Sequence, residues 1–265
     1  MGAERANPAL TAIRWDGMAL HLLDQRVLPH ETRWLALRSS QQVAQAITDM
    51  VVRGAPAIAI TAAYGLAIAV QNGESRTEAA QRLAAARPTA VNLRWALERL
   101  APLSDHEIVA EAVEIHAEDT RINQALGQTG ARHLVDTLQP DGPMGLLTIC
   151  NTGALATGGH GTALGIVRSL MERGQPVHVY VLETRPYLQG ARLTAYECAQ
   201  DNIPYTLVTD SMIAALLARP PSGLPPIQGF VAGCDRVAAN GDAANKIGTH
   251  QAALVCAKFA IPTIV

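Results

Sequence analysis

Aromatic residues are scarce: Phe, Trp and Tyr make up only 4% of the 265 residues. Apolar residues nevertheless reach 49%, so the cores have to be built from Ala, Leu, Ile and Val. An excess of positive charge is also missing. Lys plus Arg number 21 against 23 Asp plus Glu, a net charge of −2, so the basic face of a nucleic-acid-binding protein is not expected. No apolar run approaches the ~20 residues of a membrane span. The N-terminal stretch lacks the apolar segment of a signal peptide, so neither a membrane partner nor secretion is expected. Cys150, Cys198, Cys234 and Cys256 are scattered, with no CxxC pair. That spacing argues against a metal centre and a disulfide framework, and for reduced thiols in a cytoplasmic protein. The length admits two domains.

Apolar spacing divides the chain. Ile13-Arg14-Trp15 and Met18–Leu23 flank Asp16-Gly17, a favoured hairpin turn. Val43, Ile47, Met50 and Val51 follow at helical spacing behind Ser39 or Ser40 as cap. Pro56 opens an Ala-rich helix to about Val70, which Asn72-Gly73 closes, and another helix is expected from Pro88 to Leu100. Ser104 and Glu107 form a capping-box pattern before helical sequence to Leu138, loosened near Gly127 and Gly130. Residues 1–138 therefore read as a β-hairpin and helical domain. From Gln139 the pattern changes: Leu146–Cys150, Val177–Leu182, Tyr205–Val208 and Ile227–Ala232 are short apolar runs without alternation. Such runs are strands buried on both faces, hence a Rossmann-like parallel sheet in an α/β domain spanning 139–265. Ile261–Val265 begins a further strand where the chain stops, so the sheet is expected to be truncated.

Ligands of such sheets lie beyond the C-terminal strand ends. Cys150-Asn151-Thr152-Gly153, Glu183-Thr184-Arg185-Pro186, Thr209-Asp210-Ser211 and Cys234-Asp235 all fall there. Cys150 precedes a Gly-rich run, where a helix start would lower a thiol pKa; cysteine statistics alone favour an inert buried thiol. Cys198 and Cys256 fall in helical patterns and read as inert. Cys234 adjoins Asp235, with strand alternation sending their side chains opposite ways. Asp235, between apolar walls, could act as a general acid, or it could equally cap a helix or pair with Arg236. Arginine recurs before expected helix starts, at Arg53-Gly54-Ala55-Pro56, Arg87-Pro88 and Arg185-Pro186. A cation is unfavourable there unless an anion joins it, so any one of these could be a phosphate cradle or an arginine paired with an acidic neighbour. The threefold recurrence favours an anionic ligand. Asn245-Lys246 adds an amide and an ammonium group. Gly159-His160-Gly161 through Gly165, with Glu183 at the next strand end, mimics a dinucleotide fingerprint. However, the segment from Cys150 to Gly159 is longer than that tight turn allows.

Taken together, Val52–Ile58, Arg87–Asn92, Thr148–Gly153, Glu183–Pro186, Gln189–Thr194 and Gly233–Thr249 resemble the methylthioribose-1-phosphate isomerase family. Its fold is shared with ribose-1,5-bisphosphate isomerase and with regulatory subunits of the translation initiation factor 2B exchange factor. Those subunits typically lack the paired cysteine and aspartate. The resemblance implies an aldose–ketose isomerase of methionine salvage that needs no metal or nucleotide cofactor and works as a homodimer. It implies that Asp235 donates a proton and Cys150 stabilises the transition state. It further implies that Arg53, Gly54, Ala55, Arg87, Gln189, Asn245 and Lys246 bind the sugar phosphate.

Overall fold

The computed structural model describes residues 10–265. Asp16 turns the chain at its first reversal, its Oδ1 accepting the N–H groups of Met18 and Ala19 at 2.9 and 2.7 Å. This turn joins β1 (Ile13–Trp15) to β2 (Leu20–Leu23). A third antiparallel strand, β3 (Trp34–Leu37), pairs with β2; its four residues carry too little alternation to announce it. Ser39 caps α1 (Ser40–Thr48), accepting from the Gln42 N–H. α2 (Ala55–Gln71) is apolar all round and nearly every residue is buried, which makes it the centre of the helical layer.

The helix expected from Pro88 starts three residues later, and a further helix that the spacing did not announce precedes it. α3 (Arg76–Ala86) is capped by Ser75 and ends at Arg87, and α4 (Val91–Leu100) starts only after Ala90. Pro88 thus lies in the connection, consistent with its effect on the residue before it. α5 (Asp105–Leu138) starts on the Ser104–Glu107 capping box and runs unbroken. Gly127 and Gly130 do not loosen it. A Cβ on Gly130 would lie 2.6 Å from Ile166 Cδ1, and one on Gly127 2.7 Å from the Gly165 carbonyl. Those two glycines let the next helix lie close against α5.

β4 (Met144–Thr148) then leads to α6 (Ala163–Glu172), β5 (Val177–Leu182), α7 (Ala195–Gln200), β6 (Tyr205–Val208), α8 (Ile213–Ala218) and β7 (Ile227–Val231). A two-stranded hairpin, β8 (Arg236–Val237) and β9 (Ala243–Ala244), precedes α9 (Thr249–Lys258) and β10 (Thr263–Ile264). The sheet is parallel in the order β10-β7-β4-β5-β6. One apolar core, containing Leu164, Val167, Leu170 and Val179, also takes Ala131 and Leu134 from the end of α5. The other, around Tyr180, Phe230 and Leu147, includes Ile213 of α8 and Cys256 of α9. This is the α/β architecture expected from the apolar runs, with a helical layer and a small antiparallel sheet before it. Strand succession runs outward from β4 in one direction and from β7 in the other, so the topological switch lies between those neighbours. Among the described residues, no helix is long and apolar enough to cross a membrane.

Candidate active site

A cleft of about 510 Å³ opens at that switch point. The loop after β4 supplies Cys150, Asn151 and Thr152; the loop after β7 supplies Gly233, Cys234 and Asp235. The helical layer closes the other side with Arg53, Gly54 and Ala55 at the start of α2 and Arg87 through Asn92 leading into α4. Asn245 and Lys246 line it from the segment between β9 and α9. Eight of the nine residues singled out from sequence thus face one space. The ninth, Gln189, is fully buried and reaches the cleft only through Cys150, its Nε2 donating toward Sγ at 3.3 Å.

The Cys150 side of the cleft is set by several contacts. Cys150 adopts φ +69°, left-handed backbone that costs a non-glycine residue about 1–2 kcal/mol. The turn persists because both its peptide groups are held. Its N–H donates to Thr184 Oγ1 at 2.9 Å and its carbonyl accepts from Thr194 Oγ1 at 2.6 Å. Gly54 caps α2 at φ +95°, with a Cβ position only 2.6 Å from Ala156 Cβ, so only glycine lets the helical layer close on the β4 loop. Gln25 Nε2 donates across the same junction to the Leu155 carbonyl at 2.8 Å.

Arg53 stacks on Tyr187, its guanidinium carbon 4.2 Å from the ring centroid. Burial holds its guanidinium below the usual arginine range, with the neighbouring Arg87 and Arg192 charges acting in the same direction. Four polar atoms at or beside the cleft are buried without a partner: Arg53 Nε, Arg87 Nη1, Thr152 Oγ1 and Gln189 Oε1. Buried donors and acceptors are rarely left unpaired, and unpaired ones gathered at a cleft point to a polar, anionic ligand. The free N–H groups at the α2 start add to that field.

Several expectations change. Asp235 is exposed, not walled by apolar groups, and its N–H donates to the Ala244 carbonyl at 2.8 Å. β7 ends at Val231, so alternation does not extend to Cys234 and Asp235, and both line the cleft. Arg185 is exposed and outside the cleft; its N–H donates to Asp210 Oδ2 at 2.7 Å. Only the Arg53 arrangement sits directly at a helix start, because Arg87 ends α3 and lies three residues before Ala90, the cap of α4. Between β4 and α6 lies a long loop, not the tight phosphate-binding turn of a dinucleotide site. Cys198 and Cys256 are fully buried, and burial pushes their thiols up to about 12 and about 11, which leaves them inert. Among the described residues, no three His, Cys, Asp or Glu side chains gather as a metal centre requires. Asn92 and Thr152 are cleft residues that sequence chemistry did not single out, although both lie inside the motifs quoted above.

A second, apolar chamber of about 380 Å³ adjoins the cleft and shares Pro56, Val91, Asn92 and Arg236 with it. Ala59, Ile60, Trp95, Ile115 and Ile122 line it, and its acidic members are Glu118 and Asp119. Burial raises the Asp119 carboxyl above its usual range, against the Gly158 N–H bond that favours the anion.

Comparison with known proteins bears on the fold and the family. Residues 51–265 match the model of the initiation factor 2 subunit family. The chain is 50% identical to a methylthioribose-1-phosphate isomerase of Alcanivorax borkumensis, covering 96% of this chain and 74% of that one. The crystal structure of 5-methylthioribose 1-phosphate isomerase from Pyrococcus horikoshii OT3 superposes with a TM-score of 0.88 at 33% identity, covering 97% of this chain and 74% of that chain. The structure of translation initiation factor eIF-2B, subunit delta, from A. fulgidus gives 0.82 at 36% identity, covering 96% and 76%. This chain belongs to the initiation factor 2 subunit family, alongside the methylthioribose-1-phosphate isomerases within it.

Proposed function

We propose that the protein is an aldose–ketose isomerase converting 5-methylthioribose 1-phosphate to 5-methylthioribulose 1-phosphate, a step of methionine salvage. The observation that supports this reading is that Cys150 and Asp235 line one cleft at the topological switch together with buried arginine nitrogens that have no partner. Exchange-factor subunits of this fold typically lack that cysteine–aspartate pair, which favours the enzyme.

The substrate's anomeric carbon carries phosphate, so its ring cannot open as a free aldose does. A proton must reach the ring oxygen, and hydrogen must then pass from C2 to C1. In this proposal Asp235 is the proton donor. Cys150, braced by Gln189, stabilises the charge that develops beside it. Arg53 and Arg87 bind the phosphate with the Gly54 and Ala55 N–H groups, while Asn245 and Lys246 hold hydroxyl and phosphate oxygens. The apolar chamber separates this substrate from ribose 1,5-bisphosphate. A second phosphate would have to enter space lined by Ile and Trp with Glu118 and Asp119 against the single cation Arg236, whereas a methylthio group is suited to it.

Residues 1–138 and 139–265 are read as two domains, with the cleft between them. A homodimer in the cytoplasm belongs to the same proposal; it rests on resemblance and on four free cysteines. The test is incubation with 5-methylthioribose 1-phosphate, followed by ¹³C NMR for the ketone carbon. Accumulating ketose supports the isomerase. Saturable binding without turnover would instead make the chain a sensing subunit, and faster turnover of ribose 1,5-bisphosphate would reassign the substrate.

A further inference from the structure

Glu197, on α7, has no role in the chemistry just described, yet its carboxylate is completely buried. Oε1 accepts from Asn151 Nδ2 at 2.7 Å and from the Leu155 N–H at 3.2 Å. Oε2 accepts from the Ala154 N–H at 2.7 Å and from Arg168 Nη2 at 2.8 Å. Arg168 is tied in turn to Asp201 Oδ2 through Nε at 2.9 Å and to the His160 carbonyl through Nη1. A Cβ on Gly153 would collide with the same carboxylate, so the backbone passes Glu197 at the closest distance glycine allows. Burying a carboxylate is costly unless it is fully bonded, and here the loop after Cys150 supplies three of the four donors.

The connection to Cys150 is short. Asn151 Nδ2 also lies 3.4 Å from Thr194 Oγ1, and that hydroxyl donates to the Cys150 carbonyl at 2.6 Å. The left-handed turn at Cys150 therefore sits at one end of a bonded chain whose other end is a buried ion pair. A loop that needed only to cover the sheet could have used apolar packing. This one is wound around a charge.

We propose that Glu197 is the positioning residue for Cys150, holding residues 151–155 on its carboxylate so that the thiol stays aimed into the cleft. The effect on rate rests on the isomerase reading; the effect on the thiol does not. Two measurements separate them. In Glu197→Gln, an amide N–H₂ replaces an acceptor facing backbone donors, and kcat should fall about ten- to a hundredfold while KM moves far less. Iodoacetamide labelling of Cys150, read on its own peptide by mass spectrometry without substrate, should change in rate by about threefold or more. A purely structural Glu197 would lower Tm and leave kcat per folded molecule and the labelling rate as in wild type, and that result would overturn the proposal. Asn151→Ala cuts only the link and leaves the Glu197–Arg168 pair in place. If Glu197→Gln does not fold, unchanged Cys150 labelling in Asn151→Ala overturns the proposal just as firmly. Should the wild type show no isomerase activity, labelling alone still decides the positioning role.

Discussion

The wall carrying Cys150 and Arg53 is half-buried and cross-braced, whereas the wall carrying Asp235 is a two-residue-deep hairpin open to water. On the first, Thr184 and Thr194 hold the Cys150 backbone, Gln189 meets its thiol, and Gln25 and Gly54 fasten the helical layer to the loop after β4. On the second, Asp235 is held by one backbone bond to Ala244, and Val237 and Ile247 lie exposed nearby. The difference separates two tasks. Binding a phosphate needs donors whose geometry is set before the ligand arrives, because each immobilised side chain costs affinity. A proton donor needs its final environment only once the substrate has displaced water.

The sharpest way to break this comparison is to remove the reacting group from each wall. Asp235→Asn should lower kcat by about 10²- to 10⁴-fold, the usual range for losing a proton-transfer group. Cys150→Ser should lower it by about 10²- to 10³-fold, the range for losing a group that stabilises developing charge. Their stabilities should diverge. Asp235→Asn changes an exposed side chain and should leave Tm in place, while Cys150→Ser puts a hydroxyl against the buried Gln189 amide and should shift it. Steady-state kinetics beside calorimetry reads both. Wild-type kcat in Asp235→Asn would remove the aspartate from the reaction.

A smaller effect compares two glycines of similar backbone. Gly54 has φ +95° and Gly241 φ +89°, so alanine is strained at both. Only Gly54 also meets a neighbour, Ala156, whereas nothing lies within 4 Å of a Cβ on Gly241. Gly54→Ala should therefore cost about 3 kcal/mol or more and raise KM, against about 1 kcal/mol for Gly241→Ala. Urea unfolding gives both numbers. Equal costs would mean that the layers part easily at Ala156 and that the wall carrying Cys150 and Arg53 is not braced as described.

The same division explains what could be read from the sequence. Strands buried on both faces announce themselves as apolar runs, so β4, β5 and β7 were legible, as was the capping box that starts α5. The apolar run of β6 is instead an edge strand with Tyr205 and Leu207 exposed. The run from Arg76 to Ala86 carries a Ser75–Glu78 start, but its weak apolar face hid α3 and moved the expected next helix three residues early. Arginine near a helix start and polar groups at strand ends made the eight cleft residues candidates in one dimension, and the family resemblance gathered them into one site. Glu197 was not legible. A glutamate inside a short helix looks like a solvated one until the loop after Cys150 is seen wrapped around it. Asp235 was placed correctly in the chain and wrongly in its surroundings, because burial depends on neighbours distant in sequence.

The finest test lies in the exposed wall itself. Asn240 Oδ1 accepts the Asp242 N–H at 3.1 Å and its Nδ2 donates to Asp242 Oδ2 at 2.8 Å, closing the turn between β8 and β9. Asn240→Ala removes both bonds, worth about 0.5–1.5 kcal/mol each at most and less in so exposed a turn. Because no core packs on the hairpin, that loss should loosen the turn locally and leave the global unfolding transition where it is. Amide exchange from Val237 to Ala244 should quicken while exchange at Ala154 and Leu155 stays slow. Turnover should fall only several-fold, since Asp235 keeps its own bond to Ala244. If Tm drops with the turn, the hairpin is cooperative with the sheet, and the contrast between a braced wall and an open one fails at the point where it was drawn most strongly.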